Sequence, residues 1–325
     1  MGDSIYDLAF ACALRGEGQS KKITFITTPA VKNNTLIELL GFTRIEIPGP
    51  WLRSGWVGRP DELLKSVLEF RRLVSSVNRG GIGIDARAGI IERLMVLSAS
   101  NEFVQIYRYH GRSDRNIRNR ILGYHSDHVF VCRSTLASAM GFTNLDQSCH
   151  LEWPFLHRLF QPKANKHQIL LCPEASMRGK ECGVRFWQDL NKTLRHNGFE
   201  TIVVLSRGGY WQKNYSSMFS NLWLGEIDEF GYLIAESDAI VAVDSFAGHF
   251  AAAIGVPVFS LFGPTDPNLW RPWGRRNMWL QPKAAAKIKF SRNNIEKIGP
   301  SVMCDLSVAN VMDSFLPWFH TVTAK

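Results

Sequence analysis

From residue 168 onward the chain repeats one pattern: a short apolar run without polar alternation, an amphipathic stretch, and another apolar run. The runs are "QILLCP" (168–173), "ETIVVLS" (200–206), "AIVAV" (239–243) and "VPVFSLF" (256–262), and helices are expected between them over Val184–His196, 228–237 and Gly248–Ile254. A strand with one face in water alternates polar and apolar residues, whereas a uniformly apolar one must be covered on both faces. Such strands separated by helices build a parallel sheet with helices on either side.

The first half shows the same alternation less cleanly. Ser4–Leu14 reads as an apolar helix, 21–29 as a strand ended by proline, 33–42 as a helix closed by Gly41, and 44–49 as a strand. A helix capped by Asp61 is expected over Asp61–Val77, strands at 81–89 and 103–109, and a helix over 125–142. Two prolines and a polar run mark residues 151–167 as a linker. The expectation is an α/β fold of two Rossmann-like doubly wound domains facing a cleft, over 1–150 and 168–325. Ligands in such sheets lie at the carboxyl ends of the strands.

Composition narrows the class. The 325 residues, 45% of them hydrophobic, can fill two cores. No apolar run approaches the ~20 residues that span a bilayer, and the N-terminus lacks a basic start and a cleavage site, so a soluble, cytoplasmic protein is expected. The six cysteines (Cys12, Cys132, Cys149, Cys172, Cys182, Cys304) form no C-x-x-C pair, which points to neither zinc nor a disulfide framework. A net charge of +9 favours an anionic partner. The basic residues are not interleaved with stacking aromatics, so nucleic acid is not expected.

The segment "DSFAGHFAAAIGVPVFSLFGPTDP" (244–267) carries the sharpest signal. Asp244 and Ser245 follow a strand where a ligand would lie. Gly248 and His249 open the next helix, whose N-terminal amides suit a phosphate. Gly263-Pro264-Thr265 supplies a second turn with amides and a hydroxyl. The plainer reading is that Asp244 and Ser245 cap the helix and His249 is structural, but capping requires no Gly-Pro-Thr turn after the following strand.

This segment resembles the signature of glycosyltransferase family 9, the ADP-heptose:lipopolysaccharide heptosyltransferases. The matching positions are Asp244, Ser245, His249, Ala251–Ala253, Gly255, Pro257, Phe262, Gly263, Pro264 and Thr265. "ILLCPEASMRGKECGVRFWQDL" (169–190), with Ser176 and Lys180, is similar to the family's strand-loop-helix whose lysine binds nucleotide phosphates. "GDSIYDL" (2–8) resembles the N-terminal Gly-Asp loop whose aspartate is the catalytic base, and "GIDARAG" (83–89) a strand end of the first domain. The resemblance implies the GT-B fold and inverting transfer of a heptose from ADP-heptose to the lipopolysaccharide core. Four features depart from it. Phe246 replaces the glycine after Asp-Ser/Thr, and Cys182-Gly183 stand where Trp-Pro is common. The loop after "TIVVLS" has no glutamate to meet a ribose. The strand expected before the Gly-Asp loop is missing ahead of Asp3.

The implied chemistry assigns Asp3 as base, with a helix N-cap as its alternative. Lys180 meets the departing diphosphate, and Ser176, Ser245, Gly248, His249 and Thr265 hold its oxygens. Asp244 orients the loop. No D-x-D motif occurs, so a metal-independent mechanism without a cofactor is expected. Five arginines crowd 107–120. Of these, Arg112, Arg115, Arg118 and Arg120, with Arg53 and Arg59 beside Trp51 and Trp56, are candidates for an anionic glycolipid acceptor and a peripheral contact with the inner membrane face. Two other readings stay open: the same fold using another nucleotide sugar on a different glycan or protein, and a degenerate, non-catalytic binding protein.

Overall fold

The fold was analysed in a computed structural model, which describes residues 2–16, 22–27, 34–46, 64, 68, 72, 82–85, 102–107, 119–123, 128–131, 153–163, 167–287 and 292–324. Contacts divide the chain into two compact units: one holds Met1–Ala13, His128–Phe130 and Ser148–Lys325, the other Leu14–Asp127 and Val131–Gln147. The division therefore departs from the expected 1–150 domain at two places. Within the segments that group with the C-terminal half, Ile5, Tyr6, Leu8, Phe10, His128 and Phe130 are buried.

The chain opens with α1 (Gly2–Gly16), so Asp3 lies in the first turn of a helix rather than in a loop. In the unit holding residues 14–127, β1 (Thr24–Thr27), α2 (Asn34–Leu39) and β2 (Thr43–Glu46) form a strand–helix–strand in which the two strands pair in parallel. A second parallel sheet orders β3 (Ile82–Asp85), β4 (Glu102–Tyr107) and β5 (Asn119–Gly123) in sequence. Most of the helix expected over 61–77, and all but residues 128–131 of that expected over 125–142, lie outside the described residues.

The other unit carries α3 (His157–Phe160) and then a six-stranded parallel sheet. Its elements in chain order are β6 (Gln168–Cys172), α4 (Val184–His196), β7 (Glu200–Val204), α5 (Tyr210–Tyr215), β8 (Leu222–Trp223) and α6 (Ile227–Ala235). They continue with β9 (Ala239–Val243), α7 (Phe246–Ile254), β10 (Val258–Leu261), α8 (Pro267–Trp270), β11 (Asn277–Leu280), α9 (Arg292–Met303) and α10 (Val308–Thr323). The spatial order β11-β10-β9-β6-β7-β8 is the dinucleotide-fold order, with its switch point between β6 and β9.

Alternation of side chains across the sheet explains why the strands are apolar throughout. Ile169, Leu171, Val241 and Phe259 face a core with Trp187, Leu190 and Leu194 of α4 and Phe315 of α10. Leu170, Ile240 and Val258 are equally buried, and α7 packs on β9 and β10. The expected alanine-rich helix begins at Phe246, two residues earlier than Gly248, because Ser245 is already extended and takes the N-cap position. Glu226 and Glu229 make a reciprocal capping box that starts α6. No helix among the described residues is long and apolar enough to cross a membrane.

Gly255 ends α7 in the left-handed region, at φ 102°, and a Cβ there would sit 3.0 Å from Pro154 Cγ. Gly255→Ala is therefore expected to lower stability by about 1–3 kcal/mol, read as a shift of the urea midpoint at constant m-value.

Candidate functional site

The loops after β6 and β9 diverge at the switch point, and three loops bring their residues together there. The loop after β6 contains a 3₁₀ turn, Arg178–Lys180. Asp244 is the first residue after β9. Thr265 ends the Gly-Pro-Thr turn after β10. Lys180 Nζ lies 2.7 Å from Asp244 Oδ2, and the Thr265 hydroxyl donates to the same oxygen at 2.6 Å. The Lys180 and Asp244 side chains are only 12% and 5% exposed, so the pair is largely out of water. Gln281 Nε2 donates to the carbonyls of Gly263 and Thr265, each at 2.8 Å, and so holds the turn. Asp244 thus anchors a cation and a hydroxyl from two other loops.

Ser245 is the N-cap of α7, yet its side chain makes no capping bond. Its Oγ is buried with no hydrogen-bond partner. A buried hydroxyl without a partner is costly and calls for an explanation. It lies next in the chain to Asp244 and at a helix N-terminus, where the first amides lack intrahelical acceptors. An anion seated here would find a hydroxyl, amides and the helix dipole. Phe246, standing where the family has glycine, occupies the first helical position and stacks on Phe250 with ring centroids 5.1 Å apart. Gly248 serves close packing: a Cβ on it would lie 3.2 Å from Pro272 Cγ and 3.4 Å from Val258 Cγ1.

His249 does not join the Lys180–Asp244–Thr265 group through any bond described here. Its Nδ1 lies 3.0 Å from the hydroxyl of Tyr6, which donates to the Arg271 carbonyl at 3.1 Å. Tyr6 has one proton, so the Nδ1 of His249 carries the hydrogen of their bond. The same Arg271 carbonyl accepts from His128 Nε2 at 2.7 Å, while His128 Nδ1 accepts from the Phe130 amide at 3.1 Å. These two bonds fix the proton of His128 on Nε2. Tyr6 stacks on Trp153, and Phe130 on Trp273. The first helix is thereby tied to α7, a link that the sequence reading of Asp3 alone did not anticipate.

Two acids near the Lys180 turn were also missed. The loop after β7 has no glutamate of its own, but Glu174 from the loop after β6 accepts the Ser206 amide at 2.5 Å, at the carboxyl end of β7. Glu181 accepts from the Ala175 amide at 3.0 Å and from Trp211 Nε1 at 2.9 Å. Burial lifts its carboxyl above the usual range, against the opposing pull of those two donors and Arg178. The Arg178 guanidinium lies over the Tyr210 ring, 3.4 Å from its centroid. Only the spacing of glutamates around Lys180 could have flagged these acids, and it does not say which amide each one meets.

The remaining candidates divide simply. Ser176 is exposed in the loop ahead of Lys180. Asp3 is on α1, and its side chain is outside the described residues. Arg53, Arg59, Arg112, Arg115 and Arg118 lie outside the described residues, and Arg120 is on β5 without a described side chain.

With this geometry in place, the comparisons assign a class. The pattern of glycosyltransferase family 9 (heptosyltransferase) matches residues 107–298, more than half of the chain. The protein belongs to that family. It is 49% identical over 98 residues to lipopolysaccharide heptosyltransferase 3 of Escherichia coli, a match spanning 30% of this chain and 28% of that one. Across the lipopolysaccharide heptosyltransferases matched, the aligned segments cover 13% to 28% of the relatives' own length. The fold is similar over nearly the whole chain to E. coli heptosyltransferase WaaC with ADP (TM-score 0.71, 14% identity, covering 98% of this chain and 96% of that one). It is also similar to E. coli ADP-heptose lps heptosyltransferase II (TM-score 0.68, 15% identity, 99% and 97% covered). The chain therefore has the GT-B fold of those heptosyltransferases.

Removing Asp244 leaves the Lys180 ammonium buried without its counter-charge. Asp244→Ala is expected to destabilise the protein by about 3–5 kcal/mol, measured by urea unfolding. Glu181 gives a pH signature. Its raised native pKa means that its contribution to stability is full below the ordinary carboxylate range and is lost as pH rises through the raised value. Unfolding measured at steps from about pH 4 to 7 should show that decline in the wild type and a flatter profile in Glu181→Gln.

Proposed function

We propose that the protein transfers a heptose from ADP-heptose to an anionic lipopolysaccharide-core acceptor, with inversion and without a metal. The observation that carries this reading is the buried, unpartnered Ser245 Oγ at the N-cap of α7, beside the Lys180–Asp244–Thr265 group at the switch point. The names of the structurally similar proteins, one with ADP and one an ADP-heptose enzyme, support an adenine-nucleotide donor.

In this reaction the acceptor hydroxyl loses its proton to a base and attacks the anomeric carbon. The bond from that carbon to the diphosphate oxygen breaks, and ADP leaves. Asp3 is the base in this reading. Lys180, Ser245, the backbone amide of Thr265 and the first amides of α7 take up charge developing on the diphosphate. Ser176 is the exposed hydroxyl nearest to Lys180 in sequence and joins them as a further donor. Asp244 holds Lys180 and Thr265 in place and does not itself face phosphate, because like charges repel. Arg53, Arg59, Arg112, Arg115, Arg118 and Arg120 bind the acidic groups of the acceptor.

A second reading keeps the chemistry and changes the donor. Phe246 favours it, because a ring stands at the first position of α7, next in the chain to Ser245, where the family has glycine.

The test is direct. Incubation with ADP-heptose and deep-rough lipopolysaccharide should release ADP and add one heptose to the acceptor mass. Lys180→Ala should weaken ADP binding about tenfold or more in calorimetry. Wild-type protein that binds ADP but transfers from a different nucleotide sugar would select the second reading. Failure to bind any nucleotide sugar would sink both.

A further inference from the structure

Helix α9 contributes no group to the cradle, yet it touches two of its three loops. At the Lys180 turn the approach is backbone to backbone. A Cβ on Gly179 would lie 1.9 Å from the Ile295 carbonyl oxygen, and one on Gly299 would lie 2.0 Å from the Gly179 oxygen. Both positions therefore exclude any side chain, and for reasons of space rather than of backbone angle. Glu296 closes the crossing: its Oε2 accepts the Gly179 amide at 3.1 Å. At the other end of the helix Met303 packs on Gly263, where a Cβ would come within 2.2 Å of its sulfur. Gly263 opens the turn that carries Thr265.

We infer that α9 is a positioning element for the donor-phosphate cradle, with Glu296 fixing the turn from which Lys180 reaches out. The inference rests on the reading of Lys180 as a diphosphate ligand. Asp244 draws the tip of Lys180 toward β9, while Glu296, by accepting the amide of Gly179 one residue before Lys180, holds the backbone at the base of the same side chain. The core function of α9 is carried by other residues: Ile295, Val302 and Met303 are buried, whereas Glu296 is exposed and its described bond is the one to Gly179. Holding the turn is thus separable from folding the helix. Charge alone predicts the opposite behaviour, since removing an acid near an anion site should tighten anion binding.

The experiment is ADP titration by calorimetry of the full chain as wild type, Glu296→Ala, Glu296→Gln, Lys180→Ala and the double variant Lys180→Ala/Glu296→Ala, with melting temperatures alongside. Glu296→Ala should weaken ADP binding about three- to tenfold with the melting temperature nearly unchanged. Glu296→Gln, whose amide oxygen still accepts the Gly179 amide, should restore wild-type affinity. The double variant should be no weaker than Lys180→Ala, because Glu296 acts through Lys180. If Lys180→Ala weakens binding while Glu296→Ala leaves it unchanged, tightens it, or adds independently to Lys180→Ala, the role of α9 is overturned and the cradle stands. A Glu296→Gln variant as weak as Glu296→Ala also overturns it. If Lys180→Ala leaves ADP binding intact, the cradle reading fails and this inference falls with it.

Discussion

A single carboxylate organises the candidate site. Asp244 sits at the mouth of β9 and receives both the Lys180 ammonium and the Thr265 hydroxyl on one oxygen. Each of those partners comes from a different strand-to-helix loop, so three loops that could drift independently are tied at one atom. Buried ion pairs are a weak source of net stability but a strong source of definition, because a misplaced partner leaves a charge without solvent. That economy suits a site for a diphosphate. The lysine can offer its charge to a ligand only from a defined position, and a lysine stem is otherwise long and mobile.

The same logic explains the glycines around the site. Gly179, Gly248, Gly263 and Gly299 all stand where a Cβ would press on a neighbour within 3.2 Å. None of them needs a left-handed backbone. Gly255 does, at φ 102°, and it also packs closely, since a Cβ on it would lie 3.0 Å from Pro154 Cγ. A glycine-rich signature is therefore two messages written in one letter: close approach at the cradle, and a helix stop at the far end of α7.

Sequence pattern revealed the C-terminal sheet well because each strand is apolar on both faces and each helix is long enough to show its period. β6, β7, β9 and β10 all fall within the expected runs, as do α4 and most of α6. The pattern was silent on β8, two residues long at the sheet edge, where Asn221 Nδ2 donates to the Thr201 carbonyl at 2.6 Å. It was equally silent on β11 and on α8–α10, where apolar residues are spaced without a clean strand or helix signal. Within the site, Lys180, Asp244, Ser245 and Thr265 were legible because a familiar spacing marks them. Tyr6, Glu174, Glu181 and Glu296 were not, since each acts through a contact between residues distant in the chain or through a backbone amide that no residue type announces. His249 was marked by its motif as a donor-site candidate, whereas its hydrogen bond to Tyr6 was not foreseen: a histidine in a motif does not disclose which ring nitrogen is taken or by what.

Phe246 shows how far a signature can bend before its geometry fails. Glycine at that position would be indispensable if the backbone there were left-handed, but Phe246 lies in the first turn of an ordinary helix and is not among the residues with positive φ. What the side chain adds is bulk, without straining the backbone. Its ring lies against Phe250 one turn on, a stacked pair at an interplanar angle of 29°. The stacking supports the start of α7 at a point where the Ser245 side chain makes no cap, so the hydroxyl remains unengaged within the protein. A helix start secured by an aromatic pair, rather than by its own N-cap serine, leaves that serine available to a ligand.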